Sequence, residues 1–143
     1  MFVFFISCVS TNRIYNANII DLSEQNKMHF VDITLNGIKT QLLIDTGASK
    51  SLLDITKSEE YGFKCVLVSE DQYVGLGGLQ DIYITYQYKV DEFYISFLGA
   101  DLSEIQEYFI KDGIRIVGIL GSDYLENNKA TIDFKENKLY LRP

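Results

Sequence analysis

Leu42-Leu43-Ile44-Asp45-Thr46-Gly47-Ala48-Ser49 is the stretch on which the reading of the fold turns. Three consecutive apolar residues run into a carboxylate, and the four residues after it are all small. An aspartate delivered by a buried strand onto a tight turn is held rigidly at the rim of a core, where a charged group is rarely present for packing. The small residues that follow leave room for another segment of chain to approach the carboxylate closely. Asp-Thr-Gly alone is a weak tripeptide, so its surroundings must carry the meaning.

Upstream, Phe30 to Leu35 alternates apolar and polar with period two, Asn36-Gly37 is a strong two-residue hairpin signal, and Ile38 to Ile44 returns as the second strand. That hairpin delivers Asp45 at its far end. Downstream, Ser51 to Leu53 suits a short strand, and Thr56 to Tyr61 a turn or two of helix, with Thr56 and Glu59 as a capping box and Gly62 as its stop. Cys65 to Val68 and Tyr73-Val74 are two apolar stretches leading to the glycine cluster Gly75-Leu76-Gly77-Gly78. Ile82, Ile84, Tyr86, Tyr88 and Val90 alternate as one long half-buried strand, which turns at Asp91-Glu92 into Phe93 to Phe97. Asp101 to Glu104 starts a helix carrying Leu102, Ile105 and Phe109 on one face and ending before Gly113. Ile114 to Leu120 is an apolar run broken only by Arg115 and Gly118, as expected of a strand buried on both faces. Ser122 to Leu125 reads as a short helix, and Ala130 to Phe134 with Lys138 to Leu141 as a closing hairpin in which Asp133 points outward.

Three of these segments, in this order, resemble the retropepsin-like aspartic proteases, and the resemblance covers roughly residues 29 to 141. Leu42 to Ser49 is similar to the catalytic loop, Gly75 to Gly78 to the tip of the flap hairpin that folds over substrate, and Ile119-Leu120-Gly121 to the apolar pair and glycine behind the loop. The resemblance implies a mainly β fold, a single-lobe acid-protease barrel with one or two short helices, occupying residues 29–143 behind an N-terminal segment 1–28. It implies Asp45 as the catalytic acid, Thr46 bonding across a dimer, Gly47 permitting close approach and Ala48 bordering the cleft. Tyr73, Gly75, Gly77 and Gly78 would bind an extended peptide or protein substrate, and Ile119, Leu120 and Gly121 would support the loop. The chain carries only one such loop. Asp123 falls in the first turn of a helix, where an acid favours the dipole, and neither it nor Asp133 is followed by Thr-Gly or Ser-Gly. A lone carboxylate cannot be base and acid at once, whereas two about 3 Å apart share one proton and supply both, as is known of the aspartic protease dyad. A homodimer with two Asp45 side chains is therefore the expected endopeptidase. The competing reading is a peptide-binding module that keeps the fold without turnover, although such a role would not require a carboxylate at position 45.

Composition narrows the field. In 143 residues there is room for one domain but not for two fused lobes, and 47% hydrophobic with 13% aromatic residues suits a packed sheet protein. A net charge of −7 without a basic cluster repels a phosphate backbone, so nucleic acid is not an expected partner. The only histidine, His29, has no nucleophile motif beside it, and Cys8 and Cys65 lie outside any metal-ligand spacing, so no metal or other cofactor is expected. A nucleotide phosphotransferase would need a phosphate-cradling loop before a helix, but Gly75 to Gly78 precedes a strand. Met1 to Cys8 is too short an apolar run to span a bilayer. Two readings of it stand side by side: the tail of a bacterial lipoprotein signal, with Cys8 lipidated and the protein exported, or a short strand with a buried cysteine, which leaves localisation open.

Overall fold

The computed structural model describes residues 18–75, 78–85, 88–90 and 93–142, so Cys8 and Gly77 lie outside the described residues. β1 (Asn18–Gln25), β2 (Met28–Leu35) and β3 (Ile38–Ile44) lead to the Asp45 turn. β4 (Leu52–Asp54), a 3-10 turn (Ile55–Lys57) and α1 (Ser58–Tyr61) follow. β5 (Cys65–Gly75) and β6 (Gly78–Thr85) form a long hairpin, and β7 (Tyr88–Val90) and β8 (Phe93–Ile95) a short separate ribbon. β9 (Leu98–Ala100), α2 (Ser103–Ile110), β10 (Gly118–Leu120), α3 (Ser122–Asn127), β11 (Thr131–Asp133) and β12 (Lys138–Leu141) complete the chain.

The β2–β3 hairpin forms as its pattern dictates. Its strands pair from Phe30 with Leu43 to Leu35 with Ile38, and Asn36 and Gly37 take φ of 49° and 82°, the left-handed pair that matches strand twist. Val31, Ile33, Leu35 and Leu42 are buried on one face. On the other, Gln41 Nε2 donates to Asp32 Oδ1 at 2.6 Å. Asn36 does more than turn the chain, because its amide donates to the carbonyls of Tyr61 (2.7 Å) and Gly62 (3.1 Å) and ties the hairpin to α1.

The sheet also takes in residues of the 1–28 segment. Asn18 to Asp21 pair with β12 and Leu22 to Gln25 with β2, joined to β2 by Asn26 and Lys27 at φ of 54° and 63°. A left-handed lysine in place of glycine hides this second tight turn from a sequence pattern. Strand order is β11-β12-β1-β2-β3-β10-β4-β9-β6-β5, an open sheet with β11 and β5 at its ends, so the expected barrel closure is not among the described pairings. Among the described residues the helices are few and short, α1, α2 and α3, at the three places where the sequence signals helix.

Other departures have local causes. Cys65 to Gly75 is one strand instead of two stretches, because a register shift between Leu67 and Gln72 accommodates the polar residues between them. Of the expected strand from Ile82 to Val90, Ile82 to Thr85 belongs to β6, which pairs with β9 (Tyr83 with Gly99, Ile84 with Leu98), and Tyr88 to Val90 forms β7, which pairs with β8; Tyr86 and the expected Asp91-Glu92 turn lie outside the described residues. Only Gly118 to Leu120 of the 114–120 run is strand; Ile114 and Ile116 are buried ahead of it, and Val117 is buried with its N–H on the Gln41 carbonyl at 2.9 Å and its carbonyl on Asp54 N at 2.8 Å. The helical turn after β4 is capped by Asp54, which accepts from Thr56 N at 3.0 Å and Thr56 Oγ1 at 2.8 Å, and not by a Thr56 box. Phe134, expected to alternate inward, is 63% exposed and meets His29 edge to face at 4.8 Å, while Asp133 turns its carboxylate to the Lys135 and Glu136 amides.

Three apolar clusters fill the interior. The largest joins Val31, Leu42, Leu53, Phe97, Leu120 and Leu139, drawn from both halves of the chain. A small one behind the Asp45 turn holds Ala48, Leu52, Ala100, Leu102 and Ile119. The third packs Phe30 against Phe109, Ile114 and Ile116, which is how α2 is seated. At about 1.5–3 kcal/mol per fully buried large side chain, these clusters dominate the favourable side of folding.

Candidate active site

β3 ends at Ile44, and the carboxylate that follows is fixed by its own backbone neighbourhood. Asp45 N–H donates to the Leu120 carbonyl at 3.1 Å, and Gly47 N–H donates to Asp45 Oδ1 at 2.9 Å. Ala48 N–H closes the turn on the Asp45 carbonyl at 3.1 Å. Asp45 is half-buried, Thr46 and Gly47 are exposed, and Ala48 is packed in the small core with Leu52 and Ile119. A carboxylate on a short Asx-type turn, with its main chain bonded to a core strand, has little freedom to wander.

The support comes from β10, inserted between β3 and β4. It runs parallel to β3, with Ile119 beside Leu43 and Leu120 beside Ile44, and antiparallel to β4. Ile119 and Leu120 are 3% and 2% exposed, which fills the space under the turn. Glycine is required on either side of them. A Cβ on Gly121 would stand 2.6 Å from the Lys50 carbonyl and 2.8 Å from that of Ala48, and one on Gly118 would stand 2.0 Å from the Leu52 carbonyl. Main chain thus lies against main chain, and Ser122 N–H reaches the Ala48 carbonyl at 2.8 Å. The sequence singled out Gly121; Gly118 carried a readable signal too, a glycine inside a buried apolar run.

Ser51 and Asp54 were not singled out. Ser51, 1% exposed, accepts from Gly121 N at 3.0 Å and donates to Asp123 Oδ1 at 2.8 Å. Asp54, fully buried, takes donors from Thr56, from Leu102 N (3.2 Å) and from Gln106 Nε2 (3.1 Å), tying β4 to the start of α2. Nothing local in the sequence marks Ser51, whose partners lie 70 and 72 positions away; Asp54 has a local signal in its cap to Thr56, but its bonds to Leu102 and Gln106 span 48 and 52 positions. Asp123, weighed above as a helix-dipole acid, is committed to Ser51 and to Tyr124 N. Burial pushes the neighbouring Tyr124 phenol above its ordinary value, so it stays protonated around neutral pH.

Tyr73, Gly75 and Gly78 lie on the β5–β6 hairpin, where Tyr73 pairs with Gln80 and Gly75 with Gly78. The hairpin hangs on β9, which pairs with β4 immediately after the Asp45 loop.

The family model described as aspartyl protease matches residues 31–124, well over half of the chain and all of the segments just described. The chain belongs to this family of aspartyl proteases. Its fold is that of the retropepsin-like members. A retropepsin-like aspartic protease from Rickettsia conorii superposes with a TM-score of 0.51 at 19% identity, over 87% of this chain and 88% of that one. The protease of EIAV, in complex with the inhibitor HBY-793, gives 0.54 at 20% identity over 78% and 98%. The retroviral protease-like domain of Ddi1 from Leishmania major gives 0.51 at 23% identity over 80% and 87%. No curated protein matches the sequence.

Proposed function

We propose that two copies of this chain associate about a two-fold axis, bring their Asp45 carboxylates together, and hydrolyse peptide bonds as an aspartic endopeptidase. One observation carries this reading. Asp45 is immobilised from below by Leu120 and Gly47, while Thr46 and Gly47 beside it are exposed, as half of a site would be. The buried Asp54 is engaged with α2 and the half-buried Asp123 with Ser51, which supports a second carboxylate supplied by another chain.

In the pair, one proton is shared between like charges held about 3 Å apart. The ionised Asp45 takes a proton from water as it attacks the scissile carbonyl carbon, and the protonated Asp45 gives its proton to the carbonyl oxygen. Proton return to the amide nitrogen then releases the two peptides. Thr46 hydrogen-bonds across the axis, and Gly47 lets the loops approach. The substrate lies extended along the β5–β6 hairpin, adding as a strand near Gly77 and Gly78, with Tyr73 helping the hairpin to close.

The test incubates the purified chain and Asp45→Asn with a mixed peptide library between about pH 4 and 7, with sedimentation of both. Cleavage by the parent dimer and a loss of at least about 1,000-fold in the equally dimeric variant is the expected result. Equal cleavage by both proteins, or an obligate monomer that still cleaves, overturns the mechanism. Peptide capture without cleavage by the parent would leave the binding-module reading in its place.

A further inference from the structure

The buried hydroxyl of Ser51 is not used by the chemistry above, yet it sits where four pieces of the site meet. A serine hydroxyl has one proton to give and lone pairs to accept with. Gly121 N–H occupies an acceptor position at 3.0 Å, so the Ser51 proton is directed to Asp123 Oδ1 at 2.8 Å. The result is a one-way chain, from Gly121 N–H through the Ser51 hydroxyl to a carboxylate, whose last bond is charge-assisted and correspondingly strong. The Ser51 carbonyl meanwhile accepts from Leu98 N at 3.0 Å, which anchors β9, the strand carrying the β5–β6 hairpin. Around this junction run the other two bonds that seat the loop, Asp45 N to Leu120 O and Ser122 N to Ala48 O.

We propose that Ser51 and Asp123 act as a positioning pair that locks the Asp45 loop onto Gly121 and the start of α3, and so fixes how closely the two Asp45 groups approach in the dimer. This rests on the endopeptidase reading for its kinetic consequences, but the locking itself does not. Loss of either partner frees Gly121, and with it the register of Leu120, the residue holding the Asp45 amide. A displacement of about 1 Å at a catalytic group is enough to cost about 100-fold in rate.

The experiment compares the full-length chain with Ser51→Ala, Asp123→Ala, Asp123→Asn and the Ser51→Ala/Asp123→Ala double variant. Peptide cleavage is followed across pH, and amide exchange of the loop by mass spectrometry. Ser51→Ala is expected to lower kcat by about 10- to 100-fold with KM within about threefold. The bell-shaped pH profile of kcat/KM should narrow, because carboxylates held further apart interact less; a smaller folded fraction would scale the profile without narrowing it. Asp123→Asn, which keeps an acceptor oxygen, should recover most of the activity that Asp123→Ala loses, and the double variant should be no worse than the poorer single one. Amides of Asp45 and Gly121 should exchange at least about tenfold faster in Ser51→Ala, with β12 unaffected. Additive losses, an unchanged pH profile with raised KM, or unchanged exchange at Asp45 and Gly121 each overturn the pair. Should the parent cleave no peptide, the endopeptidase reading fails, and the exchange measurement still decides whether the pair locks the loop.

Discussion

The Asp45 loop and the β5–β6 hairpin both carry glycines in sequence, yet they are held by opposite means. The loop is gripped by residues far away in sequence: Ser51 bonds to Gly121 and Asp123 across 70 and 72 positions, and Gly118 and Gly121 press their backbones onto residues 48 to 53. The hairpin is joined to β9 only at its base, and toward Gly75 and Gly78 it is held by its own pairing, Gly75 against Gly78 and Val74 against Leu79, with a register shift lower down and the exposed side chains of Val66 and Leu67 on its edge strand. The proposed position-critical chemistry sits on the part whose backbone cannot shift without moving the core. The proposed substrate cover sits on the part that can rearrange with few tertiary losses.

That contrast can be broken by substitution. Gly118→Ala forces a methyl group to 2.0 Å from the Leu52 carbonyl, and the expected cost is about 3 kcal/mol or more, read as a fall in urea midpoint at unchanged slope. Asp54→Ala leaves the Thr56 and Leu102 amides and Gln106 without their acceptor in the interior, for a loss of about 2–4 kcal/mol in the same measurement. Leu67→Thr, on the exposed edge of β5, is expected to change stability by no more than about 0.5 kcal/mol. A large loss at Leu67 together with a small one at Gly118 would reverse the assignment of rigid and adaptable regions.

The smallest effect belongs to Asp101, which starts the helix whose Leu102 packs behind the loop. The Ser103 hydroxyl, and then the Ser103 amide, hold its carboxyl below the ordinary value, against a smaller opposing effect of burial. A folded-state pKa below the unfolded one means that the stabilisation is complete above the unfolded carboxylate range and is lost as pH falls through the folded value. Asp101→Asn should therefore lower Tm slightly at neutral pH and flatten the acid side of a plot of Tm against pH, so that the two proteins converge as pH falls through the folded value. A variant whose loss is confined to acid pH would contradict this account.

Much of the fold was legible because its signals are local. The alternation of Phe30 to Leu35, the Asn36-Gly37 turn and the apolar run into Asp45 are properties of adjacent residues, and the structure keeps all three. The Asn26-Lys27 turn was not legible, since lysine at positive φ is stabilised by the strands it joins and not by its own preference. The stretch from Ile82 to Val90 contributes to two sheets, β6 pairing with β9 and β7 with β8, and an alternating pattern does not say which partner each part takes. At the candidate site, Asp45 and Gly121 could be picked out by motif, but Ser51 and Asp54 are unremarkable residues next to Leu52 and Leu53.

By itself the sequence determined that a hairpin would carry one aspartate onto a turn of small residues, because period-two burial and left-handed turn geometry depend on neighbours alone. Only the tertiary structure decided what holds that aspartate, because β10 enters between β3 and β4 from 70 residues away and brings backbone against backbone. Such contacts are set by chain topology and close packing, which no local pattern encodes.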